Sequence, residues 1–216
     1  EVDVILGTAS FDEIVRTVEE AMKGNCEDVL KPLTDLPVSG KKRRLTTGGH
    51  YAYLKIAEGC DKKCSYCIIP KIRGEYRSVP MDILLKEAEE LADAGVKELI
   101  LVAQETTVYG KDLYQKKALP ELLQKLCKID GLEWIRLLYC YPEEIDDALI
   151  QVMKEEEKIC NYLDMPIQHA DDTILQRMGR RTNRAFLEQL ITKLRNEIPD
   201  ICLRTTLITG FPGETE

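Results

Sequence analysis

The sequence predicts an α/β fold built on a parallel sheet. From residue 50 onward, short segments with the apolar pattern of strands alternate with longer segments that have helical spacing. Residues 1–49 lack this alternation. Because repeated strand–helix units place helices outside a parallel sheet, and right-handed crossovers curve it, we expect an open or closed barrel. Functional side chains are then expected at the C-terminal ends of the strands.

Five segments are predicted to be strands, and five more are predicted to be helices. The predicted strands span residues 51–57, 98–103, 134–139, 162–165 and 202–208. The predicted helices span residues 81–94, 119–129, 143–154, 172–178 and 184–197. The second strand is nearly all apolar, as expected when both faces of a sheet are covered. A sixth strand–helix unit would be expected next, so we interpret the chain as a fragment of a larger protein.

The first 49 residues are predicted to form a separate region. Residues 2–6 have β-like character, and residues 11–22 have helical spacing with Ser10 as a candidate N-cap. Residues 24–49 are predicted to be a linker, and their basic run at 41–44 is interpreted as a solvated stretch, with nucleic-acid contact as the alternative. We therefore divide the chain into residues 1–49 and a main domain of residues 50–216.

Composition limits the classes of protein that fit the sequence. Hydrophobic residues make up 44% of the 216 residues, which is enough for a real core, and the net charge is −8. A broad basic face for direct nucleic-acid binding is therefore not expected. No secretory leader is visible, and no apolar run approaches the roughly 20 residues that a membrane helix needs. These features predict a cytoplasmic protein without membrane contact.

Three of the eight cysteines form a cluster with the spacing C-x3-C-x2-C directly after the first predicted strand. They are Cys60, Cys64 and Cys67. Structural zinc sites use four ligands, usually as two C-x2-C pairs, and no fourth ligand is close in sequence. The other five cysteines are scattered and are predicted to be buried, free thiols: Cys26, Cys127, Cys140, Cys160 and Cys202.

Three thiolates on a four-iron cluster leave one iron without a protein ligand. That open iron can chelate the amino and carboxylate groups of a small molecule, and a reducible cluster can pass an electron to a bound sulfonium. A non-enzymatic zinc-binding module remains the alternative. With the aromatic Tyr66 before the third cysteine, the spacing closely resembles the radical S-adenosylmethionine superfamily. The resemblance implies a partial, TIM-like (βα)6 barrel, a 4Fe–4S cluster on Cys60, Cys64 and Cys67, and a 5′-deoxyadenosyl radical.

Longer strings narrow the resemblance. They are Glu58-Gly59-Cys60, Ile68-Ile69-Pro70, Arg73-Gly74, Tyr76-Arg77-Ser78 and the seven residues from Gly210 to Glu216. These strings are similar to those of the methylthiotransferase family. Four further strings resemble the RimO family within it: Ala103 to Thr107, Leu137 to Pro142, Leu163 to Ala170 and Arg177 to Arg180. The tRNA-modifying branch typically reads H-L-P-x-Q-S-G-S at the third of these places, and a tRNA methylthiotransferase is the second alternative.

The resemblance also implies cofactor contacts, and none of them is an acid–base catalyst. Tyr66 is expected to pack against the adenine of S-adenosylmethionine, with simple loop packing as the alternative. Gln104 and Glu105 would line the cofactor site, although the family usually has Asp where this chain has Glu105. Gln168 would hydrogen-bond the cofactor, and Arg180 would pair with its carboxylate. A structural polar contact is the alternative for Gln104, Gln168 and Arg180.

The implied reaction adds a methylthio group to the β-carbon of an aspartate in a small-subunit ribosomal protein. The resemblance implies a low-potential electron donor and a second 4Fe–4S cluster on a missing N-terminal domain, of which residues 1–22 would be the tail. His169 would at most line the substrate side. We therefore expect this chain to bind the first cluster but not to catalyse methylthiolation alone.

Overall fold

The computed structural model describes residues 2–34, 44–46 and 48–215. Its strands are β1 (Tyr51–Lys55), β2 (Ala57–Glu58), β3 (Arg77–Ser78), β4 (Glu98–Val102), β5 (Trp134–Leu137), β6 (Ile159–Asp164) and β7 (Cys202–Arg204). Its α-helices are α1 (Ile14–Met22), α2 (Ile69–Arg73), α3 (Met81–Asp93), α4 (Lys111–Tyr114), α5 (Leu119–Cys127), α6 (Asp147–Glu155), α7 (Asp172–Arg177) and α8 (Arg184–Glu197). Short 3-10 helices span Phe11–Glu13 and Pro142–Glu144.

The main sheet has five parallel strands in the order β1-β4-β5-β6-β7. Within the described residues, β1 and β7 each pair with one neighbour, so these five strands form an open sheet. Strands β2 and β3 form a separate antiparallel pair beside the end of β1. The predicted α/β fold with five successive parallel strands is confirmed.

One face of the sheet packs against the helices and forms the core. The apolar side chains of alternate residues, such as Leu54, Leu101 and Leu137, are fully buried there. Helix α3 packs on β1, α6 packs on β6, and α5 lies between α3 and α6. The opposite face carries mostly half-buried or exposed side chains, among them Tyr53 and Arg136. Because successive side chains of a strand point to opposite faces, the sequence alternation assigns each residue to one of these layers.

Most predicted elements are present, with changes at their ends. The helix predicted over 143–154 is interrupted: a 3-10 turn precedes Asp146, whose carboxylate caps α6 by accepting from the backbone N–H of Leu149 at 3.0 Å. Helix α8 has the predicted bounds, and Asn183 caps it through the N–H of Phe186 at 2.8 Å. Strands β2 and β3 and the short helices α2 and α4 were not predicted, because two to five residues carry too little periodicity.

The N-terminal predictions are confirmed in part. Residues 2–6 form no strand, and only Leu6 makes an isolated bridge, with Val29. Ser10 does not cap the helix, because its hydroxyl accepts from the backbone N–H of Lys31 at 2.9 Å. Within the predicted linker, residues 35–43 and 47, which include residues 41–43 of the basic run, lie outside the described residues. The division of the chain at residue 50 stays a prediction.

The scattered cysteines are free thiols, as predicted, but they are not all buried. Cys127 and Cys140 are buried, whereas Cys26 and Cys202 are exposed and Cys160 is half-buried. The prediction of burial is wrong for Cys202. This residue lies on β7, an outer strand of the five-stranded sheet, and on the face turned away from the helices. No helix among the described residues has the length and hydropathy needed to cross a membrane.

Candidate functional site

The cysteine loop follows β2 at the C-terminal end of β1, the edge of the sheet where the sequence placed it. Gly59 begins the loop with φ of 81°, and a Cβ at this position would lie 2.1 Å from the carbonyl oxygen of Glu75. The backbone N–H of Cys60 donates to the carbonyl of Gly74 at 3.2 Å. On its other side, Ser65 donates from its backbone N–H to Met178 at 2.9 Å. The loop is therefore held from both sides by backbone contacts.

The three thiols of the loop share one small region. Cys60 and Cys64 are buried and Cys67 is half-buried. The backbone N–H of Lys62 donates to the Cys60 sulfur at 3.4 Å. Burial, with smaller contributions from the charges of Glu105 and of the neighbouring thiols, raises the pKa of Cys60 to about 11. The Cys60 thiol is thus protonated at neutral pH unless a metal replaces the proton.

No three His, Cys, Asp or Glu side chains surround a single metal-ion position in the part of the chain that the structure describes. Since each thiolate of a four-iron cluster binds its own iron, such a cluster requires no shared ion position. Three thiols in one loop have the donor set of a four-iron cluster with one open iron.

Arg180 lies next to the loop with a side chain that is fully buried. Its Nη2 donates to the carbonyl of Pro166 at 3.1 Å and lies 3.7 Å from a carboxylate oxygen of Glu143, which is an ion pair but too long for a hydrogen bond. Its Nε and Nη1 have no hydrogen-bond partner among the described residues. Unpaired buried N–H groups are costly, so this guanidinium fits a carboxylate ligand that would satisfy them.

Tyr141 connects the cysteine loop to Arg180. Its hydroxyl lies 3.5 Å from the Cys64 sulfur, and the guanidinium carbon of Arg180 lies 4.2 Å from the centre of its ring. The ammonium of Lys62 lies 5.2 Å from the same centre. Tyr66 is about one-third exposed at 37%, and burial together with the charge of Cys64 raises its pKa. Two of the predicted site residues, Cys64 and Arg180, therefore meet around an aromatic side chain to which the sequence assigned no role.

Glu105 is almost fully buried at the end of β4. Its Oε1 accepts from the backbone N–H of Thr107 at 3.1 Å and from the hydroxyl of the same residue. Its Oε2 accepts no hydrogen bond from the part of the chain that the structure describes. Burial raises the pKa of Glu105 to about 7, while Thr107 and Lys62 lower it. The carboxyl can therefore be neutral or charged near neutral pH, with one oxygen free for a ligand.

Gln104 makes a structural contact, which was the alternative given for it. Its Oε1 accepts from the backbone N–H of Gly59 at 2.8 Å, so it fixes the start of the cysteine loop. Gln168 lies beyond β6 with φ of 72°, and its backbone N–H donates to Thr206 at 2.9 Å. His169 accepts a backbone N–H at Nδ1, and its Nε2 lies 3.3 Å from Glu214. Gln168 and His169 thus contact the β7 side of the site.

Two cavities open at this edge of the sheet. One of about 420 Å³ is lined by Cys60, Tyr76 and Glu105 together with charged groups of the surrounding loops. Within residues 2–34, 44–46 and 48–215, the buried hydroxyl of Tyr76, like Oε2 of Glu105, has no hydrogen-bond partner. The second cavity, about 380 Å³, has a mostly apolar lining that includes Val102 and Gln104. Their sizes suit small organic ligands.

A match to a family model identifies the superfamily of this chain. The model of the radical SAM superfamily matches residues 54–216, which include the cysteine loop and the whole five-stranded sheet except the first three residues of β1. The chain belongs to the radical SAM superfamily. The partial radical SAM barrel implied by the resemblance is accordingly confirmed.

Curated relatives of this radical SAM chain share one description. The protein of Lachnoclostridium phytofermentans named ribosomal protein uS12 methylthiotransferase RimO is 65% identical over 216 residues. The protein of the same name from Clostridium kluyveri is 50% identical over 217 residues. Each alignment covers 100% of this chain and 49% of the relative. The chain thus spans about half the length of the curated relatives it matches.

Solved radical SAM enzymes share the fold. The methyltransferase TsrM from Kitasatospora setae, with cobalamin and a [4Fe-4S] cluster bound, has a TM-score of 0.61 at 20% identity, covering 76% of this chain and 32% of that chain. Methylornithine synthase, PylB, has a TM-score of 0.53 at 16% identity, covering 76% and 47%. At these identities the likeness concerns the fold alone.

Sequence reasoning missed the residues that link the radical SAM loop to its surroundings. Tyr141 was quoted only as part of a family string. The acidic pair Glu143 and Glu144 falls in a segment predicted to be helical, yet it turns back to pair with Lys62 and Lys117. The sequence Tyr141-Pro142 before the acidic pair could have indicated this turn, because proline favours the first position of a helix and so marks where the turn begins.

Proposed function

We propose that this chain is the radical-generating part of a methylthiotransferase that modifies the β-carbon of an aspartate in ribosomal protein uS12. The observation that carries the proposal is the loop of three thiols beside a buried arginine with two unpartnered nitrogens. The names of relatives at 65% and 50% identity support the choice of reaction and substrate. Because the chain spans about half of those relatives, the reaction is proposed for the whole protein.

The proposed cluster is a 4Fe–4S cluster held by Cys60, Cys64 and Cys67. When S-adenosylmethionine is bound to it, the cluster supplies the electron that yields a 5′-deoxyadenosyl radical. The free Nε and Nη1 of Arg180 would bind the carboxylate of S-adenosylmethionine in the two-point manner that suits guanidinium. Oε2 of Glu105, which has no protein partner, would accept from a cationic or hydroxyl group of the same molecule.

The remaining site residues position and enclose the cofactor. Gln104 would act through the loop, because its side chain holds the backbone of Gly59. Tyr66 would pack its ring against the adenine, since it is partly exposed beside Cys64. Gln168 would bind polar groups of the cofactor from the β6 side. None of these residues is proposed as an acid or base, because hydrogen abstraction by a radical needs none.

The proposed domain division has residues 1–49 as the end of a preceding domain and its linker, and residues 50–216 as an incomplete radical SAM domain. A second 4Fe–4S cluster, which would hold the sulfur to be transferred, is proposed for the preceding domain. A low-potential electron donor would reduce the cluster on the cysteine loop. A solution protein acting in the cytoplasm, where ribosomal proteins are found, fits this proposal.

Anaerobic reconstitution of the chain with iron and sulfide tests the cluster. We expect the absorption and EPR spectra of a 4Fe–4S cluster, and we expect Cys64→Ala to lose them. The matched control is Cys127→Ala, because Cys127 is also buried but lies on α5, outside the loop. A full four-iron spectrum in Cys64→Ala would disprove the ligand assignment, and stoichiometric zinc without iron would favour a metal-binding module.

Mass spectrometry of the products tests the substrate. The whole protein, reconstituted and supplied with reductant and S-adenosylmethionine, is offered ribosomal protein uS12 or tRNA in parallel. We expect a methylthio group on an aspartate of the protein and unmodified tRNA bases. The reverse result would place the enzyme in the tRNA-modifying branch.

A further inference from the structure

Tyr141 lies where β5 leads into the acidic 3-10 turn, and several contacts fix its backbone. Its own N–H lies 3.5 Å from Oε1 of Glu105. The preceding residue, Cys140, donates its N–H to the carbonyl of Asp164 at 2.9 Å. The following residue, Pro142, is buried at the start of the turn. With the chain held on both sides, the ring of Tyr141 has a defined direction toward the cysteine loop.

Two cations lie against the ring of Tyr141. The guanidinium carbon of Arg180 is 4.2 Å from the ring centre, and the ammonium of Lys62 is 5.2 Å from it. Each cation is paired with an acidic residue of the same turn, Arg180 with Glu143 at 3.7 Å and Lys62 with Glu144. Cations over an aromatic face attract its electron density. These contacts hold the ring in place with its hydroxyl directed toward the cysteine loop.

The hydroxyl of Tyr141 lies 3.5 Å from the sulfur of Cys64. A thiolate bound to iron carries no proton, so in that state only the phenol can donate. Hydrogen bonds to the sulfurs of an iron–sulfur cluster are among the factors that set its reduction potential. A donor to sulfur stabilises the reduced, more negative state more than the oxidised one.

We propose that Tyr141 is a positioning residue that donates a hydrogen bond to the Cys64 thiolate and thereby raises the reduction potential of the cluster on the cysteine loop. It acts through Cys64 and touches neither substrate nor the reacting atoms. The proposal rests on the cluster part of the proposed function and is independent of the substrate. It makes a residue outside the cysteine loop part of the control of electron entry.

Tyr141→Phe tests the proposal, because it keeps the ring between the two cations and removes only the hydroxyl. The midpoint potential of the reconstituted chain is measured by anaerobic redox titration, with EPR of the reduced cluster as the readout. We expect the ratio of reduced to oxidised cluster at a fixed potential to fall about tenfold, which for one electron is about 59 mV. An unchanged midpoint in a variant with wild-type iron content would overturn the proposal.

Tyr109→Phe is the matched control. Tyr109 is a fully buried tyrosine whose hydroxyl donates to the carbonyl of Val79 at 2.8 Å rather than to a cysteine. We expect its potential to equal that of the unmodified chain. Equal shifts in the two variants would show that loss of any buried phenol hydroxyl moves the potential, which contradicts a specific role for Tyr141.

A second variant keeps the test decisive if Tyr141→Phe binds little iron. Replacing Tyr141 by 3-fluorotyrosine retains the ring and the hydroxyl but makes the phenol a stronger donor, so the potential is expected to rise. No rise would overturn the proposal. If the unmodified chain binds no 4Fe–4S cluster, the proposed function fails first, and iron analysis made before the titration distinguishes that failure from failure of the role of Tyr141.

Discussion

Glu105 shows at the scale of one residue how the site combines stability with chemistry. One carboxylate oxygen is used inside the protein, where it accepts from Thr107, while the other has no protein partner although it is buried. Leaving a buried oxygen unsatisfied costs free energy, and such groups in native structures usually have a function or an absent ligand. The charge state of Glu105 therefore indicates which kind of ligand the site binds.

Glu105→Gln should change how stability depends on pH. Burial raises the folded-state pKa of Glu105 from 4.5 to about 7, so the stability it contributes is complete below pH 4.5 and is lost as the pH rises through 7. The uncharged glutamine avoids that loss. We expect the iron-free variant to be more stable than the parent at pH 8, by about 1–3 kcal/mol, and similar to it at pH 4.5. Urea unfolding at the two pH values measures this.

Glu144→Gln is the control of opposite sign. Although burial raises its pKa, hydrogen bonds from Lys62 and Lys117 lower it below the usual value. Its stabilising effect is therefore present above the unfolded pKa and is lost as the pH falls through the folded one. We expect Glu144→Gln to be less stable than the parent at pH 8. If Glu105→Gln also loses stability at pH 8, the conclusion that burial raises the pKa of Glu105 is wrong.

The elements of the fold were largely predictable, and the exceptions have common causes. Strand β4 is apolar on both faces, and α8 has a clear amphipathic repeat and an asparagine cap, so local sequence was enough for both. The shape of the site was less predictable. Tyr141 follows β5 and Arg180 follows α7, 39 residues further along the chain, and no local sequence pattern records a contact between them.

The cysteine loop depends on one glycine at its start. Gly59 has φ of 81°, and a Cβ there would lie 2.1 Å from the carbonyl oxygen of Glu75, which is backbone and cannot move alone. Two effects therefore add in Gly59→Ala: the strain of a positive φ and a collision between backbones. The collision would also displace the N–H that Gln104 accepts at 2.8 Å.

We expect Gly59→Ala to lower iron uptake at least severalfold and to destabilise the chain by more than about 2 kcal/mol. Gly95→Ala is the matched control, because Gly95 also has a positive φ, 95°, but nothing lies within 4 Å of a Cβ there. It should cost about 1 kcal/mol from strain alone and leave iron uptake unchanged. Iron analysis and urea unfolding measure both variants. Equal iron uptake in the two would show that the loop tolerates the collision.

At the scale of the whole molecule, the sheet separates stability from function. The face that packs against the helices belongs to one apolar core, and the opposite face carries polar or partly exposed side chains such as Lys55, Arg136 and Arg204. On this opposite face, the guanidinium of Arg136 lies 4.9 Å from the ring centre of Tyr162 and pairs with Glu98. The cavity that reaches Gln104 opens between the strand ends on the same side.

Adjacent residues of β4 allow this separation to be tested within one strand. Leu101 is fully buried against the helices between Leu54 and Leu137, whereas Val102 lines the cavity beside Gln104. Leu101→Ala removes core contacts and leaves a cavity, so we expect a loss of about 2–5 kcal/mol in the free energy of unfolding.

Val102→Ala removes fewer atoms from a wall that is already open, so it should cost less than about 1.5 kcal/mol. Its effect should instead appear in ligand binding, because the smaller side chain enlarges a pocket of about 380 Å³ at the end of the strand. In the reconstituted chain we expect Val102→Ala to weaken S-adenosylmethionine binding more than Leu101→Ala does, provided both variants are folded. Urea unfolding and isothermal titration calorimetry give the two quantities. Equal losses of stability would show that both faces of β4 are packed alike, and the separation of the two faces would then be wrong.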